Sequence, residues 1–171
     1  MYDYKEQQKK IKTFSDDLNL SHPRLKELAL KFLDAFKNET SLKGYTVKIT
    51  QTLRSTDYQN SLYNIGRNSK GDVIGKVVTN AKGSNSMHEY GLAFDIAIYK
   101  GGVYMTGETE EKGANAYKIA GAIGKKVGLF WGGDFSGFYD AGHFQYTGKY
   151  DNNTALYFLK RGNSSDFILG V

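Results

Sequence analysis

The sequence predicts an α+β domain in which helices flank a small antiparallel sheet. Three observations predict it: an amphipathic helical stripe in the first quarter of the chain, a run of apolar alternation at mid-chain, and a second helical stripe after that run. At 171 residues the chain is long enough to bury a core as a single domain without bridges, and it contains no cysteine. No repeat or low-complexity segment interrupts it. The motif-bearing core is expected over about 45–147, with an N-terminal tail and helix over 1–40 and a C-terminal helix and tail over 150–171.

Each element has a local cause. Ser21 with Pro23 marks a helix start, and Leu25, Leu28, Phe32, Leu33 and Phe36 recur at the spacing of one buried face. Residues 45–53 read as a strand. Thr56 with Gln59 forms a capping-box pattern for a helix running to Gly66. The β-branched stretch 73–79 predicts a short strand. In 92–99, Leu92, Phe94, Ile96 and Ile98 alternate with Ala93, Asp95 and Ala97, which predicts a strand with one large apolar face and one small face carrying a carboxylate. Lys100-Gly101-Gly102 then turns the chain into a second strand over 103–105. After a glutamate-rich loop (Glu108, Glu110, Glu111), residues 114–127 predict a helix with Tyr117, Ala120 and Ile123 inward and Gly128 at its end. A last short helix is expected over 154–160, stopping near Gly162.

The chemistry concentrates in two segments, Ser86-Met87-His88-Glu89-Tyr90-Gly91-Leu92-Ala93-Phe94-Asp95 and Asp140-Ala141-Gly142-His143. Two of the three histidines in the chain lie in them. Two imidazoles and one carboxylate suit a divalent zinc, and a spare carboxylate suits work on a metal-bound water. The small face around Asp95 leaves room for a metal and substrate, although a strand with one polar face turned to water would show the same pattern. His143 opens another alternating stretch and can bring a ligand from a neighbouring strand, while Asp140 sits upstream on a glycine-rich aromatic loop. Three ligands with one open position fit a catalytic zinc, whereas a fourth ligand would indicate a structural one. His88-Glu89 begins like the helical H-E-x-x-H signature, but Leu92 stands where its second histidine would be, so Glu89 reads as a solvent-facing or supporting residue. His22 reads as a local residue at a helix entrance, and Trp131 as core packing.

Ser86-x-His88-x-x-Gly91-x-Ala93-x-Asp95, followed roughly fifty residues later by Asp140-x-x-His143, resembles the zinc D-alanyl-D-alanine carboxypeptidase and L-alanyl-D-glutamate endopeptidase family, the VanY-like or M15 peptidoglycan peptidases. Arg54-Ser55 followed by a glutamine-bearing helix resembles the same family. The resemblance implies a Hedgehog/DD-peptidase-like fold, zinc held by His88, Asp95 and His143, Asp140 as catalytic base, and Arg54 as the oxyanion-stabilising group. Ser86 is a candidate substrate hydrogen-bond donor. Gly142, Phe135 and Tyr58 depart from the usual family residues without removing a group that the chemistry requires. The implied activity is cleavage of the L-alanyl-D-glutamate bond of the peptidoglycan stem. The alternatives are a D-alanyl-D-alanine carboxypeptidase or dipeptidase, and a non-catalytic zinc-containing wall-binding module.

The formal charge of +5 is concentrated near the candidate site, because residues 41–100 hold eight Lys or Arg against four Asp or Glu. Such a field attracts an anionic polymer, and peptidoglycan is one. Nucleic acid is not expected, since no basic helical stripe, zinc-finger spacing or RNA-binding motif is present. The first ten residues contain no apolar run, so neither a signal peptide nor a membrane span is expected. That pattern is similar to phage endolysins, made in the cytoplasm and released to the wall by a holin, and a monomer is expected.

Overall fold

A computed structural model of the chain describes residues 1–106 and 111–170. Its centre is a sheet of five strands: β1 (Tyr45–Gln51), β2 (Ala93–Lys100), β3 (Val103–Met105), β4 (Phe130–Trp131) and β5 (His143–Gln145). The strands are antiparallel in the order β1-β2-β5-β4, and β3 pairs with the far end of β2. This is the α+β arrangement that the periodicities predict.

One face of the sheet is covered by α2 (Pro23–Asn38) and α4 (Glu111–Lys126). Leu25, Leu28, Phe32 and Phe36 of α2 meet Phe94, Ile96 and Ile98 of β2, and Tyr117, Ala120 and Ile123 of α4 join the same core. The Phe32 ring lies 4.8 Å from that of Phe144 and 5.8 Å from that of Phe94. Burying each such ring contributes roughly 1.5–3 kcal/mol. Leu33 is only partly buried at the edge of this core. The cap of α2 is His22, whose Nδ1 accepts from Arg24 N at 3.0 Å, one residue after the expected Ser21.

A second apolar cluster lies elsewhere, where α5 (Asn152–Lys160) and α6 (Ser165–Leu169) pack on Met87, Tyr90, Leu92 and Ala93. Leu92 therefore does not share the face of Phe94 as the alternation predicts. It precedes β2, and the turn at Gly91 (φ 68°) directs it to α5 and α6.

Other sequence expectations are corrected. Residues 73–79 form a loop, with Val73, Ile74 and Val78 exposed. Among the described residues no strand lies alongside to accept a ladder; Val73 bridges Arg67, whose guanidinium bonds Thr79 O at 3.1 Å. Helix α3 (Thr56–Asn64) is capped by Ser55 rather than by a Thr56–Gln59 box, because Gln59 is drawn away to Arg54. The N-terminal segment is not a loose tail. It forms α1 (Tyr4–Gln8), then runs antiparallel to residues 52–55, with Ser15 N donating to Leu53 O at 2.9 Å and Ser55 N to Thr13 O at 2.7 Å. Part of the glutamate-rich loop, including Glu108 and Glu110, lies outside the described residues. Among the described residues no helix is long and apolar enough to cross a membrane.

Candidate active site

The four elements that converge on the site each deliver a side chain by local geometry. His88 sits on a one-turn helix (Met87–Tyr90) whose start is fixed by Glu89. The Glu89 carboxylate accepts from Ser84 N at 2.8 Å and Ser86 N at 3.2 Å. It is 1 % exposed, so it is a buried structural residue rather than a solvent-facing one, and it is not available as a base. Gly91 closes this turn. Its φ of 68° and its contact with Tyr2, whose hydroxyl oxygen would lie 1.9 Å from an added Cβ, both require glycine.

Asp95 is on β2 and His143 directly opposite on β5. A register shift between Ile49 and Gln51 brings Gln51 of β1 opposite Asp95 on the other side, the kind of irregularity that re-aims a side chain beside a site. His88 Nε2, Asp95 Oδ1 and His143 Nδ1 then form a triangle with edges of 3.1, 3.0 and 3.2 Å. Bond lengths of about 2.0–2.1 Å in a tetrahedral zinc site put neighbouring donor atoms about 3.3–3.4 Å apart, so these residues fit one face of such a site. The other ring nitrogens are both engaged: His88 Nδ1 donates to Thr52 O at 2.6 Å and His143 Nε2 to Gln145 Oε1 at 2.9 Å. Each bond leaves a lone pair on the nitrogen within the triangle.

Burial and the shared Asp95 carboxylate shift the two imidazoles in opposite directions. Burial pushes the His88 imidazole down to about 4, against the opposing charge of Asp95, so it is neutral at neutral pH, as a ligand must be. Burial opposes ionisation of Asp95, but the two imidazoles outweigh it and hold the carboxyl well below the usual range. Burial likewise disfavours charge on His143, but the Asp95 carboxylate beside Nδ1 outweighs it and raises the pKa.

Asp140 lies outside the triangle and lines a cleft of about 370 Å³ together with Arg54, Ser86, Phe135 and the three donors. Asp140 N donates to Gly132 O at 3.1 Å, and His143 N donates to Asp140 O at 3.2 Å. A Cβ on Gly132 would lie 2.5 Å from Asp140 O and 2.9 Å from His143 Cβ, so only glycine lets this loop close onto β5. Burial raises the Asp140 carboxyl above its ordinary pKa, with Asp95 adding to the effect, while His143 opposes it. A second cavity of about 600 Å³ continues past Asp95, Asp140, Val78 and Phe138.

Arg54 is buried and heavily committed. Its Nε and Nη2 donate to Gln51 Oε1 at 3.1 and 2.6 Å, its Nη1 to Gln59 Oε1 at 2.8 Å, and its Nη2 to Asp95 Oδ2 at 3.1 Å. The guanidinium thus orients Asp95 and keeps one Nη1 hydrogen in hand.

All six residues singled out in the sequence (Arg54, Ser86, His88, Asp95, Asp140, His143) line one cleft. Sequence reasoning missed Thr52, Gln51, Gln145 and Asn152, and it placed Gln59 on the helix after Arg54 as a cap rather than as the partner of the guanidinium. Gln145 was findable, since it shares the strand face of His143 two residues away. Thr52 acts through a main-chain carbonyl, for which a sequence carries no signal.

Comparison with known proteins gives a consistent result. Residues 79–146 match a family model described as D-alanyl-D-alanine carboxypeptidase, Peptidase M15. The peptidoglycan L-alanyl-D-glutamate endopeptidase CwlK of Bacillus subtilis (strain 168) is 37% identical over 128 residues, which covers 72% of each chain. Among solved structures, the Serratia marcescens L-Ala D-Glu endopeptidase ChiX superposes with a TM-score of 0.54 at 20% identity, over 77% of this chain and 84% of that one. A vancomycin resistance D,D-pentapeptidase, VanY from a VanB-type cassette in complex with Zn(II), gives 0.53 at 18% identity, over 87% and 83%. These two show the likeness of fold.

Proposed function

The chain belongs to the M15 peptidase family, and from that premise we propose that it hydrolyses the L-alanyl-D-glutamate bond of the peptidoglycan stem. It is a zinc peptidoglycan peptidase by this reading. The observation that carries it is the three-donor face of His88, Asp95 and His143 standing in a cleft that Asp140, outside the donor group, also lines. The choice of bond rests on the CwlK relative.

His88 Nε2, Asp95 Oδ1 and His143 Nδ1 would hold the metal. When bound there, zinc supplies Lewis acidity toward the scissile carbonyl and lowers the pKa of a bound water to about 7. Asp140 takes the proton of the attacking water and delivers it to the departing amine nitrogen, which in this substrate is that of D-glutamate. The free Nη1 hydrogen of Arg54 faces the carbonyl oxygen as negative charge builds on it. Ser86 offers a hydrogen bond to the peptide from the cleft wall, and Phe135, whose ring lies 5.5 Å from that of His143, screens the ligand from water.

Muropeptide digestion followed by mass spectrometry tests the bond. Products with a new D-glutamate amino terminus are expected. Release of D-alanine or D-alanyl-D-alanine without that terminus would assign the carboxypeptidase activity instead. The endolysin-type role extends the reading to whole cells. Purified protein should clear a suspension of permeabilised bacteria, and the Asp140→Ala variant should not.

A further inference from the structure

Gln145 has no part in the chemistry above, yet it is 3 % exposed and lines the same cleft. It lies across from Ala93, whose small side chain leaves space for the amide, and it shares the strand face of His143. Its Oε1 accepts from His143 Nε2 at 2.9 Å, and its Nε2 donates to Asn152 Oδ1 at 2.9 Å. Asn152 is the first residue of α5, whose start is pinned by Asp151 accepting from Asn153 N and Thr154 N. A continuous chain of hydrogen bonds therefore runs from a helix terminus to a metal-facing imidazole.

We propose that Gln145, held by Asn152, is a positioning residue that selects the tautomer of His143 and so the ring nitrogen offered to the metal. The inference rests on the assignment of His88, Asp95 and His143 as ligands. A primary amide presents an acceptor on one side and a donor on the other. With Oε1 toward His143, the ring carries its hydrogen on Nε2, and Nδ1 keeps its lone pair inside the triangle. Reversal of the amide would place its NH2 against Nε2, shift the ring hydrogen to Nδ1, and block the metal face. Reversal would also set Gln145 Oε1 against Asn152 Oδ1, two acceptors without a hydrogen between them. With Asn152 Oδ1 turned toward Gln145, the orientation that places Oε1 on His143 is the one that satisfies both amides. The contrast with His88 supports the point, because its Nδ1 faces the Thr52 main-chain carbonyl, which has no alternative orientation. A neutral amide rather than a carboxylate also adds no negative charge beside Asp95 and Asp140.

The test measures zinc affinity by chelator competition, and the visible spectrum after Co(II) substitution, on the full chain. Gln145→Met should bind zinc roughly 10–100-fold more weakly, the usual cost of losing a hydrogen-bond partner behind a ligand. Its Co(II) spectrum should change as well. Gln145→Glu keeps the acceptor and should restore affinity, which a packing role would not explain. Asn152→Leu should weaken binding, and Asn152→Asp, still able to accept from Gln145 Nε2, should not. Wild-type affinity and spectrum in Gln145→Met, or equal weakness in Gln145→Met and Gln145→Glu, would overturn the inference. Should Gln145→Met fail to fold by circular dichroism, the Asn152 pair decides, and unchanged affinity in Asn152→Leu overturns it. His143→Ala separates the two levels. Loss of zinc there with none in Gln145→Met refutes the positioning role alone, and zinc retained in His143→Ala refutes the ligand assignment together with it.

Discussion

Arg54 Nη2 donates to Asp95 Oδ2 across 3.1 Å, while Asp95 Oδ1 faces both imidazoles. One carboxylate is thus shared between a guanidinium that orients it and the three-donor triangle, so Arg54 shapes the site before any substrate arrives. Removal of Arg54 should therefore have two effects. Arg54→Ala is expected to lower kcat/KM by roughly 10²–10³-fold, as loss of one oxyanion donor does. It should also weaken zinc binding about tenfold through the loosened Asp95. Arg54→Lys should not recover activity, because an ammonium cannot reproduce the fork that engages Gln51, Gln59 and Asp95 together. Steady-state kinetics on purified muropeptides with parallel metal analysis checks both effects.

Asp140 faces the cleft without belonging to the donor triangle, so its removal should separate chemistry from metal binding. Asp140→Ala is expected to retain one zinc per chain and to lose roughly 10²–10⁴-fold in kcat, the usual worth of a general base. Metal content measured on the same preparation as the rate makes the assignment decisive. Loss of zinc would move Asp140 into the ligand set, and retained turnover would remove it from the mechanism.

Each of His88→Ala, Asp95→Ala and His143→Ala should lose most of the zinc, because a three-ligand site has no redundancy. Chelation of the wild-type protein should abolish activity while leaving far-ultraviolet circular dichroism largely unchanged. The two apolar clusters, one under α2 and α4 and one under α5 and α6, are built without the metal. Unfolding on chelation would instead mark the site as structural.

His22 gives a pH dependence that is independent of the metal. Burial lowers its pKa below the ordinary 6.5, with Asp166 opposing. The neutral ring donates from Nε2 to Asp166 Oδ1 at 3.1 Å and accepts at Nδ1 from Arg24 N, and protonation of Nδ1 would destroy the cap of α2. With the folded pKa below the unfolded one, the unfolded chain binds more protons as the pH falls below 6.5, so stability declines there. Denaturation midpoints at pH 7 and pH 5 should differ more for the wild type than for His22→Asn, which keeps a capping oxygen without a titrating ring.

Gly91→Ala should lower stability by more than about 1–2 kcal/mol, the usual cost of a left-handed residue with a side chain, because Tyr2 must also be displaced. A urea titration reads this directly. Tyr2→Phe in the Gly91→Ala background should recover part of the loss, since the Tyr2 hydroxyl is the atom nearest the added methyl.

By itself the sequence determined the residue types of the site, the apolar faces of α2, β2 and α4, and the small face that carries Asp95. These are local patterns, set by 3.6-residue and two-residue periodicities and by which side chains can hold a metal. The tertiary structure alone decided which nitrogen of each histidine faces the triangle, that Arg54 spends its donors on Gln51, Gln59 and Asp95, and that Glu89 is buried as a helix start. It also decided that residues 73–79 remain a loop and that the N-terminal segment braces residues 52–55. Those outcomes depend on partners distant in the chain, such as Thr52 O for His88 and Asp95 for Arg54. A hydrogen bond to a main-chain carbonyl or a shift in strand register leaves no mark in residue identity, because every residue carries the same backbone groups. The sequence therefore specified the candidate donors, and only the fold specified their orientation.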